Sequence, residues 1–192
     1  MKVKLFILFM LLAVCGRAFD NPRLGLVISK TSFDQKWGVT QMSAHGWAAA
    51  ANLAGIPYDC FFLEELTTSD LRAIDALILG QCSHVAEKDY APFAAKLKEY
   101  LAGGGHLIVD GQLAVYDEKA AERDHAELDE LAGIAYQGFR GNENFRLQSS
   151  GVQHYITRIF TPGQFVTQHL VSGLNILSGS QPLIFMTDGR SA

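Results

Sequence analysis

The residues best suited to chemistry in this 192-residue chain form one short cluster, Gln81-Cys82-Ser83-His84. A cysteine thiolate is a strong nucleophile, and an imidazole within hydrogen-bonding distance can act as the base that generates it. A spacing of two residues in a loop does not by itself bring Cys82 and His84 together. Three interpretations therefore stay open: a small hydrolytic site, a non-catalytic ligand cleft, or a buried thiol beside a surface imidazole.

The elements around this cluster predict an α/β fold. The run 75–80 is short, apolar and typical of a buried parallel strand, and similar runs occupy 24–29, 58–62 and 106–110. Helical patterns separate these runs, and strands that alternate with helices indicate a parallel sheet with right-handed crossovers. We predict the strand order second-first-third-fourth.

Polar residues follow the first, third and fourth strands at the points where these strands end. Parallel strands bring their carboxyl ends to one edge of the sheet, where ligands bind in open α/β folds. The residues that we expect at this edge, and that could line a ligand cleft, are Ser29, Gln81, Cys82, His84, Asp110 and Gln112.

Four helical segments are expected between and after the strands. The apolar spacing predicts a helix from about Val39 to Gly55, a brief one that starts at 67–70, and longer ones over 87–101 and 118–131. The positions expected to face the core in the first and last of these are Val39, Met42, Ala49, Ala50 and Leu53, and Ala121, Leu128 and Leu131. From about Ala135 the pattern becomes β-rich and irregular, with an alternating strand-like stretch at 152–160.

Metal and cofactor sites are not predicted. The six histidines are dispersed and lack metal-binding spacing. Gly103-Gly104-Gly105 precedes a strand, so it does not aim helix N–H groups at a phosphate. Ser29-Lys30-Thr31-Ser32 follows the first strand but lacks the glycine that would let the backbone close around a flavin phosphate.

The N-terminus has the features of an export signal over residues 1–18. Lys2 and Lys4 precede an apolar run, and Gly16-Arg17-Ala18 offers small residues for cleavage. Two alternatives are a lipoprotein that is anchored through Cys15 and a buried first element. Removal of residues 1–18, which carry three basic side chains and no acidic ones, takes the net charge from −4 to −7. An acidic chain is poorly suited to nucleic acid or anionic membrane.

Cys60 and Cys82 would remain after this cleavage, and we predict that they are unpaired. The predicted strand order places another strand between theirs, which puts their Cα atoms about 10 Å apart, beyond disulfide range. The predicted export would place the chain in the periplasm or outside the cell, and a membrane location follows only if Cys15 is lipidated.

Aromatic residues cluster in two places. Trp37, Trp47 and Phe33 near the first loop could stack on a sugar ring, contact a partner or belong to the core. Later aromatics exceed what the predicted core holds, so we expect at least one between 139 and 165 to lie on a surface shared with another domain or chain; they are Phe139, Phe145, Phe160 and Phe165.

Several short sequence segments resemble those of one known family. They are Ile56-Pro57-Tyr58-Asp59, Asp75-Ala76-Leu77-Ile78-Leu79, the run from Leu97 to Ile108, and Glu130 to Tyr136. From Leu24 to about Gly189 the chain resembles the glutamine-amidotransferase-like, flavodoxin-like domain, above all the non-catalytic version beside the barrel of some beta-galactosidases, where it helps the enzyme to trimerise. This resemblance implies a three-layer sandwich with a central, mostly parallel sheet and a β-rich irregular C-terminal part.

The resemblance also bears on function. Active members carry a nucleophilic cysteine on the tight turn after the fourth strand, whereas Asp110 or Gly111 stands there in this chain. We therefore expect residues 19–192 to form a non-catalytic domain of an exported, carbohydrate-acting protein, cut from or leading a longer chain. Its expected partner is a catalytic barrel or an identical subunit. The alternatives are a hydrolase that uses Cys82 and His84, and a small-ligand-binding module.

Overall fold

The structure is a computed structural model that describes residues 22–35, 38–140, 145–149, 165–168, 171–176 and 184–186, with side-chain environments given for 22–35 and 38–136. The predicted signal segment, the strand-like stretch at 152–160 and Trp37 lie outside the described residues. Within the described residues, no helix is long and apolar enough to span a bilayer.

The central sheet contains four parallel strands in the order β2-β1-β3-β4, which confirms the predicted order. Their bounds are β1 Leu24–Ile28, β2 Tyr58–Phe62, β3 Ala76–Gly80 and β4 His106–Asp110. Leu26 lies opposite Cys60 and Ile78, and Ile78 lies opposite Ile108, so these four side chains share one face of the sheet.

Helices cover both faces of this sheet, which gives the predicted α/β three-layer architecture. They are α1 Lys30–Asp34, α2 Gly38–Ala54, α3 Glu87–Ala102 and α4 Ala126–Ala132, with a 3₁₀ helix at Leu63–Thr68. The main core lies on the side of α3, where Phe93 and Leu97 pack against Val27, Leu77 and Leu79.

Two helix predictions were wrong in detail. The segment 67–70 ends the 3₁₀ helix and does not start a new helix. The expected helix over 118–131 is only the seven-residue α4. The reason is the carboxylate of Asp117, which accepts hydrogen bonds from the backbone N–H groups of Lys119 and Ala121 at 2.8 Å and stabilises a turn in place of a helix.

The C-terminal part is β-rich, as expected. Its strands are β5 Ile134–Arg140, β6 Phe145–Ser149, β7 Phe165–Gln168, β8 Val171–Ile176 and β9 Ile184–Met186. They form two small antiparallel sheets with the orders β5-β8 and β7-β6-β9, separate from the central one.

Candidate functional site

The carboxyl edge of the sheet brings together the loops after β1, β3 and β4, as the sequence predicted. The candidate residues divide into two groups by burial. Ser29, Cys82, His84 and Gln112 are buried, while Gln81 and Asp110 are only half-buried on the side of α2. The two groups differ in what they contact.

Cys82 is fully buried, and its thiol lies among backbone carbonyl groups. Its Sγ lies 3.5 Å from the carbonyl oxygen of Val27 and 3.9 Å from that of Gly80, both backbone acceptors within the sheet. Burial raises the pKa of the Cys82 thiol to about 12, so the sulfur stays protonated near neutral pH. In this environment Cys82 is a small core residue and a poor nucleophile.

His84 is held through both its ring and its backbone. Its Nδ1 lies 3.0 Å from the hydroxyl of Ser83, and the ring stacks on Tyr116 with centroids 5.0 Å apart. Its backbone N–H donates to Ser32, and its carbonyl accepts a 2.5 Å hydrogen bond from the hydroxyl of Ser29. Burial lowers the pKa of the imidazole, which favours its neutral form.

Ser29 and Gln112 also serve the local structure. The hydroxyl of Ser29 accepts from the backbone N–H of Ser32 at 3.0 Å and so caps the start of α1. The side-chain amide of Gln112 donates to the hydroxyl of Tyr136 on β5. The buried candidates therefore hold the loops at this edge of the sheet in place.

Asp110 fastens the edge of the sheet to α2. Its Oδ2 accepts a 2.6 Å hydrogen bond from the hydroxyl of Ser43 and a 3.0 Å hydrogen bond from the indole N–H of Trp47. The turn that follows needs a glycine, because Gly111 has φ 84° and an added Cβ would lie only 2.1 Å from the side-chain amide nitrogen of Gln81. Gln81 itself adopts a φ of 50°.

The sequence analysis missed three polar residues of α2 as a group. Besides Ser43 and Trp47, Thr40 directs its hydroxyl to the carbonyl oxygen of Gln81 at 3.3 Å. The three lie at spacings of three and four residues, which places them along one side of a helix. That spacing was the available signal, and it was overlooked because the apolar residues of the same helix show the same period.

The prediction of which α2 positions face the core was therefore wrong. Val39, Met42 and Leu53 are exposed, whereas Thr40 and Ala51 are buried. The physical reason is that the three hydrogen bonds set the rotation of the helix. The close approach of α2 also requires a glycine at the end of β3, since a Cβ at Gly80 would lie only 2.7 Å from the hydroxyl oxygen of Ser43.

A groove of about 570 Å³ runs between α2 and the β1–β2 side of the sheet. Leu26, Ile28 and Phe33 contribute apolar surface, while Gln41, His45 and Asn52 contribute polar groups; Cys60 also lines the groove. Cys60 is exposed and unpaired, and Cys82 is unpaired as well. Among the residues that the structure describes, no three His, Cys, Asp or Glu side chains are grouped as metal ligands would be.

Comparison with known proteins shows a similarity of fold and no significant similarity of sequence. No protein-family model matches the sequence, and no curated protein sequence matches it significantly. Among solved structures, Gan42B, a GH42 beta-galactosidase, aligns with a TM-score of 0.63 and 15% identity over 89% of this chain and 24% of its own. A ThuA-like protein from Bacteroides uniformis aligns with a TM-score of 0.63 and 9% identity over 87% of this chain and 68% of its own.

These likenesses confirm the expected flavodoxin-like fold. The chain spans about a quarter of the length of the beta-galactosidase that it matches. At these identities the shared feature is the arrangement of helices and strands, and a residue's role does not transfer with it.

Proposed function

We propose that this chain is a non-catalytic, amidotransferase-like interaction domain of an exported, carbohydrate-acting protein. The observation that carries the proposal is that the carboxylate of Asp110 accepts hydrogen bonds from a helix of the same chain. The turn after β4 is where active members of the resembled family carry a nucleophile, and here its carboxylate binds Ser43 and Trp47 of α2. A group that holds a helix in place is not available to attack a substrate.

The contacts of Cys82 and His84 speak against the rival hydrolase. A nucleophile and its base must lie within hydrogen-bonding reach, and the thiolate must be accessible. Cys82 is fully buried among backbone carbonyls, and the Nδ1 of His84 is engaged by Ser83. The burial of the thiol therefore supports a structural role for Cys82 over that of a nucleophile.

The carbohydrate part of the proposal comes from the fold likeness. One of the two proteins aligned above is a GH42 beta-galactosidase, in which a region that resembles this chain makes up about a quarter of the length. By analogy, this domain packs against a catalytic barrel or an identical subunit. A reading frame that continues past Ala192 into a barrel with two catalytic carboxylates would support this analogy.

An assay for hydrolysis tests the proposal. The purified chain should release no product from glutamine or from an aryl ester above the buffer blank, and Cys82→Ser should behave identically. Circular dichroism would show that both proteins are folded. Hydrolysis by the native chain that disappears in a folded Cys82→Ser variant would overturn the proposal and restore the hydrolase.

The groove beside α2 favours one further candidate function, the binding of a small ligand. Its volume of about 570 Å³ lies within the range of known ligand pockets, roughly 300–1,000 Å³. A panel of monosaccharides, followed by the thermal unfolding midpoint of the native chain and of Gln41→Ala, tests this candidate. A midpoint that rises with one sugar only in the native chain would support ligand binding, and no rise with any sugar would reject it for this panel.

A further inference from the structure

Exposed apolar side chains are concentrated on one side of the sheet. Among the residues with described side chains, the large hydrophobic ones that remain exposed are Phe33, Val39, Met42, Leu53, Phe62 and Ile108. Phe62 and Ile108 share the sheet face that α2 covers, since Phe62 pairs with Ile28 and Ile108 pairs with Ile78. Phe33 lines the groove beside α2. The opposite face holds the buried core.

Helix α2 contributes the most exposed of these residues. The exposed fractions are 46% for Val39, 75% for Met42 and 90% for Leu53. A helix that packs one face on its own sheet normally presents charged side chains to water on the other. The 17 residues of α2 contain no Asp, Glu, Lys or Arg, although such residues make up 19% of the chain. The outer face of α2 is therefore apolar and uncharged.

The apolar and small residues of this face are placed symmetrically about Gly46. Gly46 lies midway between Val39 and Leu53, which are seven residues away on either side, and between Met42 and Ala50, which are four residues away. If two copies of α2 pack antiparallel across Gly46, Val39 meets Leu53 of the second copy and Met42 meets its Ala50. Met42 then faces a small residue and Val39 packs on a leucine. Gly46 has no side chain to keep the two helices apart, and the space beside it is open, since an added Cβ would meet no described atom within 4 Å.

We infer that the chain forms a two-fold symmetric dimer through antiparallel pairing of α2, with Gly46 at the axis. This inference rests on the proposed interaction role and names the partner as a second copy. A two-fold interface needs a surface that is complementary to itself, which the pattern around Gly46 supplies. The chain carries a net charge of −4, so the net electrostatic interaction between two copies is repulsive. The face of α2 adds no charge to that repulsion, since the helix contains no Asp, Glu, Lys or Arg.

Site-directed cross-linking tests the geometry. In a full-length background with Cys15→Ser and Cys60→Ser, Gly46→Cys should give a disulfide-linked dimer under mild oxidation, because the two-fold axis brings position 46 of both copies together. Leu53→Cys alone should not cross-link, since the two copies of position 53 lie about 20 Å apart at 1.5 Å per residue, well beyond disulfide range. A mixture of Val39→Cys and Leu53→Cys chains should give the mixed dimer.

Sedimentation velocity over a wide concentration range tests the association itself. The native chain should shift from monomer to dimer as its concentration rises. Leu53→Glu should weaken the dimer about a hundredfold or more, because each copy loses a buried leucine and gains a like charge. Ala95→Glu on the exposed side of α3 is the matched control and should leave the dimer unchanged. Circular dichroism would verify that each variant is folded.

The outcomes separate this inference from the proposed function. A chain that stays monomeric at every concentration, or a dimer that ignores Leu53→Glu and is not cross-linked by Gly46→Cys, would overturn the pairing of α2. A disulfide-linked dimer of Leu53→Cys chains would indicate parallel packing and would also overturn the antiparallel pairing of α2. A monomer that binds a barrel domain through α2 would leave the proposed function standing, whereas hydrolytic activity in an α2-paired dimer would refute only the proposed function.

Discussion

Cys60 and Cys82 carry the same chemical group in opposite environments. Cys60 is exposed on an edge strand, whereas Cys82 is fully buried and its pKa is raised to about 12. Because a thiolate must form and be reached by the reagent, we expect an alkylating agent to label Cys60 in the native protein and Cys82 only after unfolding. Mass spectrometry of the labelled peptides measures this, with Cys60→Ser as the control. Native labelling at Cys82 would contradict the described burial.

The buried thiol also predicts a loss of stability at alkaline pH. The pKa of Cys82 is raised by folding, so the folded state retains the proton that the unfolded state loses. This contribution is complete below the pKa of the unfolded thiol, about 8.5, and it is lost as the pH rises toward about 12. Urea unfolding at several alkaline pH values should show a shallower decline for Cys82→Ser than for the native chain. Equal slopes would contradict the prediction.

At the residue scale, the sequence identified the right edge but not the role of each side chain there. Five of the six predicted edge residues follow a strand end and the sixth, Asp110, is the last residue of β4, because strand position can be derived from apolar runs. Whether Cys82 turns toward His84 or into the sheet depends on loop geometry that involves distant partners such as Val27 and Ser32. No local pattern in the sequence encodes those contacts.

At the scale of elements, Ser43 on α2 and Asp110 on β4 should be energetically coupled, because a hydrogen bond joins them. Asp110→Ala removes the acceptor of both Ser43 and Trp47 and should lower the free energy of unfolding by about 1–3 kcal/mol. Ser43→Ala should cost less, since Trp47 still donates to Asp110. The double variant should be less destabilised than the sum of the two single ones, because both remove the same hydrogen bond. Urea unfolding monitored by tryptophan fluorescence measures all three.

A matched control lies on the 3₁₀ helix. Thr68 is exposed, and its hydroxyl donates a local hydrogen bond to the carbonyl oxygen of Glu65 at 3.0 Å. Thr68→Ala should change the stability by less than about 0.5 kcal/mol. Additive effects of Ser43→Ala and Asp110→Ala would show that the hydrogen bond between them contributes nothing.

The elements themselves were easier to predict than their rotations and lengths. The order of the central strands was predicted correctly because the apolar runs are short, rich in β-branched residues and separated by helices. The rotation of α2 was not predicted correctly, because three polar contacts to the sheet determine it. The apolar residues of the helix recur with the same period and gave a misleading signal. The length of α4 was overestimated because one carboxylate, that of Asp117, stabilises a local turn.

For the whole molecule, export stays a prediction, and the mass of the purified protein tests it. Signal cleavage should leave Phe19 as the first residue, which intact-mass spectrometry would detect in the exported fraction. Ala18→Arg should block cleavage, because the peptidase needs a small residue at that position, and the matched variant Phe19→Tyr should not. A mass that corresponds to a lipid-modified Cys15 would contradict soluble export.

The interface expected among the aromatics of 139–165 stays a prediction, because their side chains are outside the described environments. The exposed apolar residues that the structure does describe are grouped on α2 and on the sheet face beneath it, where the sequence had predicted core positions for Val39, Met42 and Leu53. Composition predicts that some apolar residues remain exposed, but their grouping on one side depends on the rotation of α2.

The attachment of α2 to Asp110 has a consequence for protein engineering. The turn after β4, where the resembled family keeps its nucleophile, here holds a helix against the sheet. A cysteine introduced at position 110 would leave Ser43 and Trp47 without their shared acceptor, so the change that brings in a nucleophile would also weaken the contact between helix and sheet. A catalytic variant designed on this chain would therefore need compensating changes on α2 together with the change in the turn.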